Sequence, residues 1–104
     1  MGYEALTIST DTTLQWPING NTIDVVANII EVTATVASLK LYMPPATQVS
    51  VGQSALIRNV GAQSFTVVDT SGNTIVTIAS GIAEYIYVTD NSTINGVWET
   101  VTFG

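Results

Sequence analysis

Short runs of Thr, Val and Ile, divided by turn residues about every ten positions, limit the fold of this chain more than any other feature. β-Branched side chains fit pleated strands better than helices. No window of the sequence keeps apolar residues at the i, i+3, i+4, i+7 spacing of an amphipathic helix. The pattern predicts an all-β fold, an antiparallel β-sandwich or jelly-roll-like barrel of about 8–10 short strands.

The sequence predicts one β domain over residues 1–104, without a linker, a second domain or an internal repeat. A turn is expected at Ile18–Asn21, where Asn and Gly tolerate positive φ. The strands are expected at Leu6–Thr10, Thr13–Trp16, Ile23–Ala27, Ile29–Val36, Leu39–Met43, Ala55–Val60, Phe65–Asp69, Thr74–Ala79, Ile82–Thr89 and Val97–Phe103.

Two stretches show where the backbone must change direction. Alternate residues from Ile30 to Val36 are apolar, but the phase of the alternation flips at Ala37-Ser38, which predicts a tight turn or a bulge. Pro44-Pro45 then ends the next strand, because proline has no N–H for a strand ladder.

Charged residues make up 10% of the chain, against about 25% in an ordinary soluble domain. Lys40 and Arg58 are the only basic residues, and the net charge is −6. Phosphate backbones and anionic membrane surfaces need many basic groups, so neither is an expected partner. A small domain with so few charges is expected to have much of its surface covered by other chains.

Targeting and membrane signals are also missing from the sequence. No apolar run approaches the ~20 residues of a membrane-spanning helix. The segment MGYEALTIST has no basic region followed by an apolar block, so it does not resemble a Sec signal.

Three segments carry apolar groups on both faces of the expected strand: Phe65–Val68, Thr74–Ile78 and Tyr85–Val88. One face fills the core, and the other needs a cover, which a neighbouring subunit supplies. Central strands of a thick sandwich are the alternative explanation. Arg58 is expected to pair with a carboxylate, either within the domain or across a subunit boundary. The residues predicted to bind a partner are Arg58, Tyr85, Tyr87, Val68 and Val76.

The sequence offers little for catalysis. The chain has no His and no Cys, which excludes a Ser-His-Asp triad, a Cys-His pair and a zinc site of imidazole or thiolate ligands. Glu84 and Glu99 would act as a glycosidase pair if their strands placed them in one cleft. Two acids that face solvent or an interface are the simpler interpretation, so we expect no enzyme activity.

Two other kinds of site, a cation site and a sugar-binding platform, have candidate residues in the sequence. The segment 90–95 has oxygen ligands for Ca²⁺ but lacks spaced carboxylates, so a polar turn is favoured and no metal or cofactor is expected. Trp16 and Trp98, with the tyrosines, would form a sugar-stacking platform if they were exposed. A carbohydrate-binding module with a glycan partner is therefore the alternative function, although core or interface packing is favoured for both tryptophans.

Several segments resemble a β domain of tailed-bacteriophage virion appendages, which include tail fibres, head fibres and capsid-decoration proteins. The order MPPA, VGQ, IRNVG and a Trp-containing last strand carries the likeness, which covers nearly the whole chain. The matching segments are Thr12–Pro17, Leu41–Ala46, Val51–Gln53, Ile57–Gly61, Tyr87–Thr93, Gly96–Trp98 and Phe103-Gly104.

The resemblance implies a non-enzymatic structural protein of the virion surface. Such appendages are usually homotrimers, so the implied partners are copies of the chain itself and proteins of the capsid or tail. Both a small stand-alone virion protein and the ordered anchor of a longer fibre fit this likeness. No catalytic residue is carried over by it.

Overall fold

The structure, a computed structural model, describes residues 2–17 and 25–103, and strands dominate this part of the chain. The predicted turn at 18–21 and the first residues of the strand predicted at 23–27 lie outside the described residues. The all-β class is confirmed. The strands are β1 (Tyr3–Ile8), β2 (Thr12–Thr13), β3 (Ile29–Ala34), β4 (Leu39–Tyr42), β5 (Ser54–Asn59), β6 (Phe65–Val68), β7 (Thr74–Ile78), β8 (Ala83–Asp90) and β9 (Val97–Phe103), with one 3₁₀ turn at Ala46–Gln48.

The strands form two sheets that pack face to face. The five-stranded sheet has the order β1-β3-β5-β8-β9, and the four-stranded sheet has the order β2-β4-β6-β7. Side chains from the inner faces of both sheets form one hydrophobic core. This arrangement confirms the predicted sandwich. The described residues include no helix long and apolar enough to cross a bilayer.

Strand direction differs from the antiparallel prediction. The pairs β1–β3, β3–β5, β2–β4 and β4–β6 are parallel, whereas β5–β8, β6–β7 and β8–β9 are antiparallel. The cause is the path of the chain, which changes sheet after every strand from β1 to β6. Each strand therefore re-enters its sheet in the same direction as the strand two before it.

The same path creates a backbone repeat that the sequence does not show. Tyr3 lies opposite Ile29 and Leu39 lies opposite Phe65, 26 residues later in both cases. Three successive windings stack in this way, as coils do in a solenoid. No residue pattern marks the windings, so they are visible only in the structure. β7, β8 and β9 then cover the third winding with antiparallel strands.

The core follows the predicted alternation. Ile30, Val32 and Ala34 of β3 are all buried, and Phe65 and Val67 of β6 face them from the other sheet. Each fully buried aliphatic or aromatic side chain contributes about 1.5–3 kcal/mol relative to an exposed one. The core is therefore completed within one chain, and a partner is not needed to supply it.

The predicted change of phase at Ala37-Ser38 is confirmed as a turn. Ser38 has a φ of 64°, a left-handed conformation between β3 and β4. β4 ends at Tyr42, immediately before Met43 and the two prolines. A second constrained position is Gly96, with a φ of 69°, where an added Cβ would overlap the side chain of Ala46.

Candidate functional site: the outer face of the five-stranded sheet

One row of apolar side chains crosses the entire outer face of the five-stranded sheet. Strand register places one residue from each strand side by side in this row. Because the neighbours in a row lie about 5 Å apart, their side chains form one continuous surface. We call these residues the apolar row: Tyr3, Ile29, Leu56, Tyr85 and Val101.

Four of the five residues of the apolar row are exposed in the isolated chain, and Leu56 at its centre is half-buried. Tyr3 is 51% exposed, Ile29 is 42% exposed and Val101 is 45% exposed. Tyr87 follows Tyr85 on the same face, and the two ring centroids are 5.8 Å apart with planes tilted by 37°. Exposed large apolar side chains that are contiguous mark interaction surfaces more often than scattered ones do.

A small ionic network borders the apolar row. Tyr3 donates its hydroxyl hydrogen to Glu31 Oε1 at 2.6 Å, and Arg58 Nη1 donates to Glu31 Oε2 at 3.0 Å. The hydrogen bond from Tyr3 is the largest cause that lowers the pKa of Glu31, and Arg58 lowers it further against the opposing effect of desolvation. The same hydrogen bond raises the pKa of Tyr3. At neutral pH the network therefore contains a carboxylate, a phenol and a guanidinium.

Glu99 lies on the other side of the apolar row. Its partner in the strand register is Tyr87, while Arg58 has Ala83 as its partner on the same strand β8. Since side chains of alternate residues share a face, Ala83, Tyr85 and Tyr87 mark three successive positions along β8. Arg58 and Glu99 therefore flank the apolar row from opposite sides.

The outer face of the four-stranded sheet is polar by comparison. Lys40, Thr66 and Thr77 lie side by side in the register of β4, β6 and β7. The hydroxyl groups of Thr66 and Thr77 are 3.2 Å apart and share a hydrogen bond. This second face offers hydroxyl groups and one cation where the first offers rings and aliphatic groups.

The five predicted partner-binding residues do not lie together. Arg58, Tyr85 and Tyr87 share the outer face of the five-stranded sheet. Val68 is fully buried in the chain, and Val76 is packed partly buried against the core. Neither valine therefore presents a free side chain to a partner. Val68 follows a register shift between β6 and β7, and such a bulge lets two successive side chains be buried.

The predicted pairing of Arg58 with a carboxylate is confirmed, and the carboxylate belongs to the same domain. The partner is Glu31, and the two side chains retain 56% and 27% of their exposure. An exposed ion pair of this kind contributes about 0–1 kcal/mol to stability. The ion pair lies beside the apolar row, at the surface of the five-stranded sheet.

Glu84 and Glu99 cannot act together as a glycosidase pair. Glu84 is 3% exposed and faces inward on β8, where both of its carboxylate oxygens accept hydrogen bonds from the hydroxyl of Thr102. Glu99 is exposed on the outer face of β9. The two acids lie on opposite faces of the same sheet, so no cleft holds both.

The 90–96 loop is a polar turn rather than a prepared cation site. Asp90 Oδ1 accepts hydrogen bonds from the hydroxyl and the backbone N–H of Ser92, at 2.6 and 2.8 Å. These bonds lower the pKa of Asp90, the hydroxyl contributing most. The described residues contain no group of three or more acidic side chains that would hold a metal ion.

The two tryptophans pack against each other. Their ring centroids are 6.2 Å apart and the planes differ by 11°. Trp16 is buried, and its indole N–H donates to Pro45 O at 2.7 Å. Trp98 donates to Asn95 O at 2.8 Å, which ties the 90–96 loop to β9. The packing interpretation is confirmed, and Trp16 offers no open platform for a sugar ring.

A cavity of about 280 Å³ lies beside Trp16, between the β2 region and the segment around the two prolines. Its lining has no charged side chain, and its polar groups come from Thr13, Gln15 and Gln48. It lacks the convergent charged or titratable groups that characterise reaction centres. The outer sheet face therefore remains the stronger candidate.

Sequence reasoning missed most of the apolar row and the role of Tyr3 and Glu31. The alternation of Val97, Glu99, Val101 and Phe103 along β9 is visible in the sequence and would have placed all four on one face. The parallel partners Tyr3, Ile29 and Leu56 have no local signal, because their register depends on the winding of the whole chain.

No model of a known protein family matches the chain, and neither a curated protein nor a solved structure does. Interpretation of the site therefore depends on the chemistry of the sheet face itself.

Proposed function

We propose that this chain is a non-enzymatic structural protein of a tailed-phage virion, a homotrimer on the particle surface that attaches by apolar strand surfaces. The apolar row carries this proposal. It is a continuous apolar surface on a chain whose core is already complete, so folding alone does not account for it. The resemblance to virion appendage domains is the reason for proposing a virion protein and an assembly of three copies.

Burial of the face supplies the driving force. Apolar surface that leaves water contributes about 25 cal/mol per Å². A stable interface covers roughly 800 Å² on each partner, and the isolated chain exposes 5153 Å² in total. The outer face of the five-stranded sheet is the surface that we assign to other copies, which leaves the ends and the second face for contacts with capsid or tail proteins.

Low charge favours the same role. The chain carries two basic and eight acidic residues, with a net charge of −6. On the outer face of the five-stranded sheet, however, Arg58 balances Glu31. Glu99 is a further acid on the same face, so Arg58 offsets part of the negative charge there and reduces the repulsion between approaching copies.

The carbohydrate-binding alternative is weaker on geometric grounds. Its expected platform was a set of open, coplanar rings, but Trp16 is buried. Tyr85 is exposed and Tyr87 is half-buried, and their ring planes are tilted by 37°, so the pair gives no flat surface.

The mass of the protein in solution tests the proposal. Native mass spectrometry and sedimentation at micromolar concentration are expected to give three times the chain mass of 11.0 kDa. Cryo-electron microscopy of purified phage particles is expected to place the trimers on the particle surface. A well-folded monomer at micromolar concentration would overturn the self-assembly on which the proposal depends.

A further inference from the structure

Arg58 has unused hydrogen-bonding capacity on the surface. The guanidinium carries five N–H donors, and within the described residues only Nη1 donates, to Glu31. The side chain is 56% exposed. A second carboxylate can therefore approach the same guanidinium from solvent, and arginine suits such a carboxylate because its planar fork donates in two directions.

Glu99 is the complementary group on the same face. It is exposed on β9 and makes no ion pair within the described residues. The register separates it from Arg58 by two strands and four residues along the strand direction. Strand spacing converts this offset to roughly 17 Å, which is too far for the two groups of one chain to meet.

We propose that Arg58 of one copy pairs with Glu99 of a neighbouring copy, on either side of the buried apolar row. The inference depends on the proposed self-assembly and names the polar contact that sets its orientation. We assign a second copy of the chain to this face, because the face carries both the guanidinium and the carboxylate of the proposed ion pair. In a closed ring, each copy donates through Arg58 to one neighbour and accepts through Glu99 from the other.

The apolar row determines how strong this contact is. Rings and aliphatic groups that exclude water lower the local dielectric, which strengthens an ion pair at their edge. Opposite charges flanking the row also specify which way the second copy lies. A reversed copy would bring Glu99 toward Glu99 of its neighbour and Arg58 toward Arg58, so the Arg58–Glu99 attraction would be lost and like charges would oppose that arrangement.

Three charge-removing variants isolate the contact: Glu99→Gln, Arg58→Gln and Lys40→Gln. Lys40 lies on the outer face of the other sheet, so Lys40→Gln measures the effect of losing one cation away from the contact. Starting from a net charge of −6, Glu99→Gln brings the charge to −5, and each cation variant brings it to −7. General charge repulsion alone would make Glu99→Gln assemble more tightly.

The assembly constant, measured by sedimentation equilibrium at low salt, is expected to fall at least tenfold for Glu99→Gln in spite of its lower net charge. Arg58→Gln is expected to weaken assembly several-fold more than Lys40→Gln. The double variant Arg58→Gln/Glu99→Gln should be little weaker than the worse single variant, since both remove the same interaction. Circular dichroism checks that each variant is folded.

The ion pair is refuted if Glu99→Gln assembles as well as the parent chain or better. Equal effects of Arg58→Gln and Lys40→Gln, or strictly additive losses in the double variant, would also overturn it. A parent chain that is trimeric but insensitive to these changes removes only the ion pair. A monomeric parent chain removes the proposed function and the ion pair together.

Discussion

The outer face of the five-stranded sheet presents the apolar row, whereas the outer face of the four-stranded sheet presents Lys40, Thr66 and Thr77. Both faces belong to pleated sheets that cover the same core. The contrast therefore does not follow from folding, which requires only that the inner faces be apolar. Under the proposed function, one face of the molecule is adapted to a partner and the other to water.

The contrast also explains why apolar groups on both faces of a strand are ambiguous in a sequence. In β8 the pattern is a true second apolar face, with Ile86 buried inward and Tyr85 exposed outward. In β6 the extra apolar residue is Val68, which the bulge after Val67 turns into a buried position. Two identical patterns thus have different causes, one a second, solvent-exposed apolar face and the other an irregular strand.

Among the substitutions on the two sheet faces, Leu56→Asp is expected to weaken assembly most. Leu56 is at the centre of the apolar row, and a carboxylate there must lose its hydration when a second copy covers the face. The assembly constant should fall more than about 100-fold, which corresponds to about 2.7 kcal/mol. Sedimentation at micromolar concentration should then show a monomer.

Thr66→Asp is the matched control for this change. Thr66 lies on a central strand of the other sheet and points outward, next to Lys40 in the register. The strand penalty for aspartate is similar at both positions, but only Leu56 lies in the expected interface. A trimer that survives Leu56→Asp and dissociates with Thr66→Asp would reverse the roles of the two faces.

Tyr85→Ala on the five-stranded sheet and Tyr42→Ala on the four-stranded sheet compare the two faces through smaller changes in assembly and stability. Loss of Tyr85 removes an exposed ring and its contact with Tyr87, so assembly should weaken about 10- to 30-fold with little change in the stability of one chain. Tyr42 lies on the four-stranded sheet, and its ring is close to the turn at Gly72. Its loss should lower the free energy of unfolding and leave assembly unchanged.

Chemical denaturation of the diluted monomer and sedimentation of the concentrated protein measure these two outcomes separately. Weakened assembly in Tyr42→Ala, combined with normal assembly in Tyr85→Ala, would mean that the polar face is the contact surface.

The sequence predicted most of the strands because strand chemistry is local. Two predictions were wrong: only Thr13 of Thr13–Trp16 lies in a strand, and the described residues 25–27 of the strand predicted at Ile23–Ala27 contain only an isolated bridge at Val25. β9 has the predicted bounds, and the turn at Ser38 and the strand end before Pro44 are where the pattern placed them. The inward positions Ile30, Val32 and Ala34 also follow from simple alternation. Each of these features depends on a few neighbouring residues, which a single sequence contains.

Partner strands were not predictable in the same way. An alternating strand looks the same whether its neighbour is parallel or antiparallel, and the pair Tyr3 and Ile29 is joined only by the winding of the chain. The sequence therefore predicted only part of the candidate site. Arg58, Tyr85 and Tyr87 were anticipated, while Glu31 was not identifiable as the carboxylate that Arg58 binds.

The smallest expected effect is on the pH dependence of stability, and it arises from Glu31 on the five-stranded sheet. The pKa of Glu31 is lowered from its ordinary value of 4.5, so the folded chain favours the ionised carboxylate. The stability that Glu31 contributes is complete above pH 4.5 and is lost as the pH falls through the lowered pKa of the folded state. Glu31→Gln should therefore make the unfolding midpoint of the diluted chain less dependent on pH over this acidic range.

Tyr3→Phe sharpens this last comparison, because the hydrogen bond from Tyr3 is the largest cause of the lowered pKa. Carbon-13 NMR titration of the Glu31 carboxyl group should show a pKa below 4.5 in the parent chain and a pKa closer to 4.5 in Tyr3→Phe. Arg58→Gln removes two contributions that are each smaller than that of Tyr3, a hydrogen bond and a Coulombic attraction, and we expect it to raise this pKa less than Tyr3→Phe does. The reverse order would mean that the ion pair, rather than the phenol, holds Glu31 in place beside the apolar row. In that case Arg58 would be committed to its own chain and less available to a neighbouring copy.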